Sequence, residues 1–541
     1  MAHLLDHSSM QLKDKNVTSG WERFLSMLVA FGNAVLAFFR SLVPKSDYMP
    51  KLFSPSAPTY FTARRRDPAT IITNKWAAVD AGANFDEIDD KTALAIAENR
   101  ATETVSIRSF VEARCPTMKK EYVPTWWLRN GHANTVYCIM GDFTNKDVVN
   151  YQRSLLRMPD GGTIGLDFTP PSWERTVDPK MPIIVILHGL SGGSFESYIR
   201  DILSTACAPR EEGGLGYRAC VMNFRGCAGI PLTSAQLYSG CYLDDLRATL
   251  LYLRQEYPEA PLLGMGFSLG ANLLLKYVEV EGENCRLRSA TVLGCPWDLC
   301  LNSNQLENRW FYRNVYAKAL GGNLVYLLKM HLPTLAKLAP TNATPHIQQI
   351  LKMRAPTLKD FDHHVTCHMG GRGADFPIAS GMDYYRISSG HDQVHRIKIP
   401  FLALNASDDP IVAEIPYADI ARSTHVVQLV TDFGGHLGWF EGGRQKDERF
   451  GRGFHHPPMR WVRKPVLEWL QATGEDLIAE EFDKLGNKSG SESLKPKLRR
   501  AVRGDGPAVD REGEWYYEEG RPEVGFKFLV RAKKAVPKPM M

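Results

Sequence analysis

The sequence predicts an α/β architecture, a mostly parallel sheet covered by helices on both faces. Three observations predict it: short continuous apolar runs recur through the middle of the chain, most end at a turn rich in glycine or polar residues, and helical stripes fall between several of them. Runs of that length bounded by turns read as strands buried on both sides. The 541 residues are 44% hydrophobic and 23% charged, the balance of a globular chain with room for one large domain and appendages.

Residues 1–20 are polar and carry both signs of charge. Residues 21–43 turn apolar, with no charge between Arg23 and Arg40. That uncharged run is shorter than the roughly 20 residues a spanning helix prefers. Ser26, Asn33 and Arg40 recur at heptad spacing, so a helix here carries a narrow polar stripe and suits a membrane-associating, interfacial position. Residues 44–115 read as a linker, with Pro50, Pro55 and Pro58 followed by an alanine- and acid-rich patch over Asp80–Asn99.

The α/β domain is expected over 116–475. Tyr151–Met158 and Thr163–Phe168 flank Asp160-Gly161-Gly162 as a hairpin. Ile183–Leu187, Arg218–Phe224 and Pro261–Phe267 are continuous apolar runs, followed by Ala290–Leu293, Pro400–Leu404 and Val426–Val430. Leu243, Leu246, Leu250 and Leu253 make one helical stripe, and Leu269–Val280 reads as another helix. Between about 299 and 395 the strand rhythm breaks into helical segments such as Tyr316–Leu332, which predicts a cap. Residues 476–541 are polar and basic; 485–541 read as a flexible tail with one possible short strand at Gly525–Val530.

The net charge of +5 is small for this length. The clusters Arg64–Arg66, Arg499–Arg500 and Lys533–Lys534 read as solvated surface, so no nucleic-acid partner is expected; beside a membrane segment they favour anionic headgroups. The ten cysteines contain no CxxC pair and read as reduced thiols. His363, His364, Cys367 and His368 are ligand types without a second half elsewhere, so no metal is expected.

The pattern that carries chemistry is Gly266-Phe267-Ser268-Leu269-Gly270, set between a strand and a helix. Attack on an ester carbonyl needs a nucleophile held clear of the backbone, a base for its proton and donors for the oxyanion. A glycine-flanked serine at the start of a helix supplies the first. Gly189-Leu190-Ser191-Gly192-Gly193 matches the same five-residue pattern. It comes after His188 at the end of an early strand and runs into more glycine where a helix should begin, so Ser268 is preferred. The N–H groups of Leu190 and Leu269 are then the expected oxyanion donors, with His188 bracing its loop.

The acid is expected in the turn after Pro400–Asn405, where either Asp408 or Asp409 is within reach. Asp409 is preferred because Pro410 fixes the next turn and Ile411-Val412 anchor it, which leaves Asp408 to cap the turn; Asp298 is an outside alternative. The histidine is expected after Val426–Val430, where Gly434-Gly435 free the loop that carries His436. His391, His455 and His456 lack that strand-then-glycine context.

In order along the chain, Asn130-Gly131-His132 with Thr135, His188-Gly189-Leu190, Asn223-Phe224-Arg225-Gly226-Cys227, the Ser268 turn with Asn272, Asp383-Tyr384-Tyr385, Asp408-Asp409-Pro410 and Gly434-Gly435-His436 resemble the YheT-like α/β-hydrolase family over about 116–470. Ala133, Asn134 and Ala271 depart from its usual residues, and the chain has no His-x4-Asp acyltransferase box. The resemblance implies an α/β-hydrolase fold and a serine esterase, lipase or alcohol acyltransferase. It further implies fatty-acyl ester or acyl-CoA substrates, among them acylglycerols and medium-chain ethyl esters, with water or an alcohol as acceptor and no cofactor. Together with residues 21–43, it sets the expected location at an intracellular membrane or lipid-droplet surface. Arg225 is expected to brace loops, and Tyr384 and Tyr385 to pack the cap. A phospholipase, or a non-catalytic membrane-associated binding protein on the same scaffold, are the alternatives.

Overall fold

A computed structural model of the protein describes residues 48–64, 102–338, 343–373, 375–442, 458–477, 498–501 and 515–532. The polar start and the apolar segment 21–43 lie outside the described residues. Among the described residues no helix is long and apolar enough to cross a membrane.

The strands are β1 (Lys51–Phe53), β2 (Tyr60–Arg64), β3 (Thr102–Ser106), β4 (Gln152–Arg157), β5 (Thr163–Thr169), β6 (Ile183–Leu187), β7 (Arg218–Asn223) and β8 (Leu262–Phe267). They continue with β9 (Ser289–Leu293), β10 (Phe401–Ala406), β11 (Val426–Thr431), β12 (Phe440–Glu441), β13 (Met459–Arg460), β14 (Leu498–Ala501), β15 (Trp515–Glu518) and β16 (Arg521–Arg531). Twelve of them form one sheet in the order β1-β11-β10-β9-β8-β6-β7-β5-β4-β16-β15-β14. The run from β11 to β7 is parallel, and the strands outside it are antiparallel.

Side chains alternate across this sheet. Ile183, Val185 and Leu187 of β6 join one core, with Leu246, Leu250 and Leu274 from the helices Asp244–Glu256 and Leu269–Glu281. Ile184 and Ile186 join the opposite core, with Ile199, Leu203, Val466 and Trp469 from the helices Ser197–Ala206 and Arg463–Gln471. Burial on both faces is why these strands read as unbroken apolar runs. The six expected inner strands are all present, within about a residue or two of their expected limits. The chain between β9 and β10 is helical and packs its own core around Leu324, Leu328, Ile347 and Phe361, the expected cap. The expected helix Tyr316–Leu332 begins earlier, at Trp310, and passes through a π-turn at Arg313–Ala317 into Lys318–Met330.

Two boundaries are corrected. Part of the expected linker 44–115 belongs to the domain, since β1 extends the sheet beside β11 and β2 pairs with β3. The helix Ile107–Arg114 buries Ile107, Phe110 and Val111 in the second core, and their i, i+3, i+4 spacing is the physical reason. The expected tail 476–541 contains β14, β15 and β16, and β16 pairs with β4. Trp515, Val524 and Phe526 are buried, which holds that edge in place although its other face is solvated.

Candidate active site

The sheet brings β6 and β8 side by side, with Leu187 opposite Gly266, although β7 intervenes in the chain. The strand order therefore reverses there, and the loops leaving the two carboxyl ends open the crevice where ligands of parallel α/β sheets bind. Ser268 comes directly after β8 with φ +52° and ψ −118°, a strained conformation that leads straight into the helix Leu269–Glu281. The turn needs its glycines. A Cβ on Gly270 would lie 2.3 Å from the Leu187 carbonyl oxygen, and one on Gly266 would lie 2.6 Å from the Gly270 oxygen.

His436 Nε2 lies 2.7 Å from Ser268 Oγ, and His436 Nδ1 lies 2.8 Å from Asp409 Oδ2. With Nδ1–H donating to the carboxylate, Nε2 is left to accept the serine hydroxyl proton. The other oxygen of Asp409 accepts the N–H groups of Ile411 and Val412 at 2.7 and 3.1 Å, which fixes the carboxylate in the turn after β10. Asp408 does a different job: its Oδ1 accepts the Gly435 N–H at 2.8 Å and its Oδ2 is buried without a partner. Burial pushes its carboxyl up to about 7. Asp409 faces the imidazole, as preferred, but the expectation for Asp408 is corrected. Asp409 Oδ1 caps their own turn, because it lies two and three residues before the Ile411 and Val412 N–H groups, and Asp408 instead reaches across to the histidine loop.

That loop is held from the N-terminal side of the domain. Thr135 Oγ1 accepts the His436 N–H at 2.9 Å and donates to the Gly131 carbonyl at 2.7 Å. A Cβ on Gly435, whose φ is +55°, would lie 2.3 Å from the Gly131 oxygen, so only glycine admits this approach.

The loop after β6 lies against the serine, for a Cβ on Gly189 would be 3.5 Å from Ser268 Cβ. Its Gly189 N–H donates to Tyr198 Oη at 3.1 Å and its Ser191 N–H to Tyr238 Oη at 3.0 Å. Among the described residues the N–H groups of Leu190 and Leu269 have no hydrogen-bond partner. His188 is buried and held neutral, burial lowering its imidazole to about 4; Nδ1 bonds the Gly189 carbonyl and Nε2 accepts the Phe224 N–H. It braces the loop.

The rival residues lie elsewhere. Asp298 caps the helix Leu299–Asn308 and lies 3.7 Å from His391. Ser191 Oγ donates to the Leu190 carbonyl at 2.7 Å. His455 and His456 fall outside the described residues. His363, His364, Cys367 and His368 form no metal-holding group among the described residues. Arg225 is buried between Asp160 and Asp245 and ties the β4–β5 turn to the first turn of the helix Asp244–Glu256. Tyr384 Oη accepts the Gly240 N–H from the sheet side and Tyr385 Oη donates to Asp362 within the cap. Sequence reasoning gave Thr135 no role and missed Tyr198 and Tyr238; Thr135 stood in a recognisable motif, while the tyrosines carry no local signal.

The alpha/beta hydrolase fold family matches residues 182–443. Phospholipase ABHD3 of Mus musculus is 31% identical over 344 residues, covering 62% of this chain and 77% of that protein. The chain belongs to the α/β-hydrolase family. Within it, the monoacylglycerol lipase of Saccharomyces cerevisiae is 28% identical over 435 residues, covering 72% of this chain and 90% of that one. Medium-chain fatty acid ethyl ester synthase/esterase 2 of the same yeast is 26% identical over 437 residues, covering 70% and 91%. The resemblance drawn from the motifs is borne out, and this α/β-hydrolase is a serine ester hydrolase.

Proposed function

We propose that the enzyme cleaves fatty-acyl esters, acylglycerols or medium-chain ethyl esters, by a two-step acyl transfer on Ser268. Ser268 Oγ attacks the ester carbonyl carbon as its proton passes to His436 Nε2, and the carbonyl electron pair moves onto oxygen. The Leu190 and Leu269 N–H groups stabilise that oxyanion, each such donor contributing about 3–4 kcal/mol in comparable sites. Collapse expels the alcohol, which takes the proton from His436. Water, or a second alcohol, then attacks the acyl-serine carbonyl as its proton passes to His436; collapse breaks the acyl–Oγ bond, Ser268 Oγ takes that proton back, and the fatty acid or new ester leaves. Asp409 holds the imidazole in the required tautomer throughout. The ester, or an acyl-CoA thioester in its place, is drawn from an intracellular membrane or lipid-droplet surface.

The observation that supports this best is the pair of contacts through His436, 2.8 Å to Asp409 and 2.7 Å to Ser268. The names of the two yeast relatives favour acylglycerol and ethyl ester substrates, and that of the murine relative a phospholipid. One experiment tests these readings together. The purified protein is given monoacylglycerol, phosphatidylcholine or octanoyl-CoA, with and without excess ethanol, beside fluorophosphonate labelling. Labelling lost in Ser268→Ala and ethyl ester made from octanoyl-CoA would support the transferase. Free fatty acid alone from monoacylglycerol would support the lipase, and lysophospholipid would move the reading to a phospholipase. No labelling and no turnover would end the catalytic reading and leave a binding protein.

A further inference from the structure

The helix Gly131–Met140 contains no charged residue. Its inward side supplies Thr135 to the His436 loop. Its outward side is apolar: His132, Val136, Ile139 and Met140 recur at i, i+4, i+7 and i+8 and share one face. His132 at one end is covered by the cap, 2.6 Å from Tyr316 Oη and edge-on to Phe311 and Tyr312. Val136, Ile139 and Met140 are exposed, Ile139 to 75%. A surface helix normally turns such residues inward. On the far side of the His132 contact, the cap helices Trp310–Tyr312 and Lys318–Met330 leave Trp310 79% and Tyr326 63% exposed.

The cap segment that meets His132 carries charge of one sign. Residues 309–359 carry eight lysines and arginines and no aspartate or glutamate. Among the described residues only Arg313 of these meets a carboxylate, Glu307 at 3.2 Å. Exposed aliphatic side chains, exposed Trp and Tyr and a cap segment rich in cations, most without a carboxylate partner among the described residues, together match a headgroup boundary, where aromatic rings settle and each basic residue near an anionic leaflet gains about 1 kcal/mol.

We infer that the outward face of helix Gly131–Met140 and the adjoining cap form a docking surface for an anionic phospholipid surface, which sets the mouth of the Ser268 site against the lipid that holds its ester. This rests on the proposed function for the identity of the ester, and not for the docking itself.

The test uses the full chain, so that residues 21–43 act equally in every variant. Co-sedimentation is measured with vesicles of phosphatidylcholine alone and of phosphatidylcholine mixed with phosphatidylserine. Turnover is measured on a vesicle-embedded acylglycerol and on soluble p-nitrophenyl butyrate. The double variant Ile139→Asp, Met140→Asp is expected to partition at least ~10-fold more weakly and to lose vesicle turnover in proportion, with soluble turnover unchanged. The double variant Lys329→Glu, Lys337→Glu is expected to lose the preference for phosphatidylserine, and it keeps the test alive if the first variant misfolds. Partitioning equal to the parent in both would overturn the inference. So would loss of a concentration-dependent dimer in the first variant with vesicle binding unchanged, since a second copy then covers the face. A parent that binds vesicles but turns over neither ester removes the proposed function and leaves the docking result standing.

Discussion

The turns Gly189–Gly193 and Gly266–Gly270 spell one pattern and leave neighbouring parallel strands, yet they are built for opposite tasks. Both serines are strained alike, Ser191 at φ +55° and Ser268 at φ +52°. Strain alone therefore does not mark a nucleophile. The difference lies in the residues just beyond each serine. After Ser268 a helix starts at once, which lifts Oγ clear of the chain and towards His436. After Ser191 come two glycines, and the next helix waits until Ser197. Its hydroxyl folds back onto the Leu190 carbonyl, so this turn offers backbone N–H where the other offers a side chain.

Replacing the serines one at a time puts that contrast to its hardest test. Ser268→Ala is expected to lower kcat on a soluble ester by roughly 10⁵- to 10⁶-fold, the scale on which a triad nucleophile acts. Ser191→Ala removes one hydrogen bond inside its own loop and is expected to stay within about 3-fold of the parent. Steady-state turnover of both variants decides it, and comparable losses would mean that the first turn does more than present N–H groups.

What the sequence made legible tracks burial. β6 and β8 are covered on both faces, so each appears as an unbroken apolar run that ends where a site residue begins, and β11 reads the same way but for the buried Gln428 at its centre. Ser268, Asp409 and His436 were readable because each comes after such a run with a glycine or proline to shape its turn. The edges were hard. β1 has only three residues and no room for a period, and β16 buries Val524 and Phe526 but leaves Phe528 and Val530 further along 40% and 49% exposed, so its burial fades along the strand instead of following a clean alternation. Tyr198 and Tyr238 were invisible for another reason. Each meets the Gly189–Ser191 loop only after the chain has folded, and no local pattern announces a phenol that accepts a backbone N–H.

The contrast between the serines sharpens if the relay behind Ser268 is cut without touching either turn. Asp409→Asn keeps an oxygen for the Ile411 and Val412 N–H groups but turns an amide N–H towards His436 Nδ1. The imidazole must then carry its proton on Nε2, facing the serine, and kcat is expected to fall about 10⁴-fold. Fluorophosphonate labelling should slow in parallel. Asp408→Asn, whose carbonyl still accepts the Gly435 N–H, is expected to change kcat by no more than a few-fold. A large loss in Asp408→Asn with Asp409→Asn nearly intact would reverse the assignment of the acid.

Asp408 also predicts an effect on stability, separate from turnover. Burial raises its folded carboxyl to about 7, well above the ordinary aspartate value. A raised folded value means that the native state holds its proton more tightly than the unfolded chain. The resulting stabilisation is full below the unfolded value near 4 and drains away as pH rises through 7. Asparagine at this position cannot titrate, so Asp408→Asn should gain on the parent by about 2–3 kcal/mol between pH 5 and pH 8. Thermal unfolding of both proteins across that window measures it. A difference in Tm that does not change with pH would show that the buried Asp408 oxygen is solvated after all, and that the Gly435 bond alone sets the histidine loop.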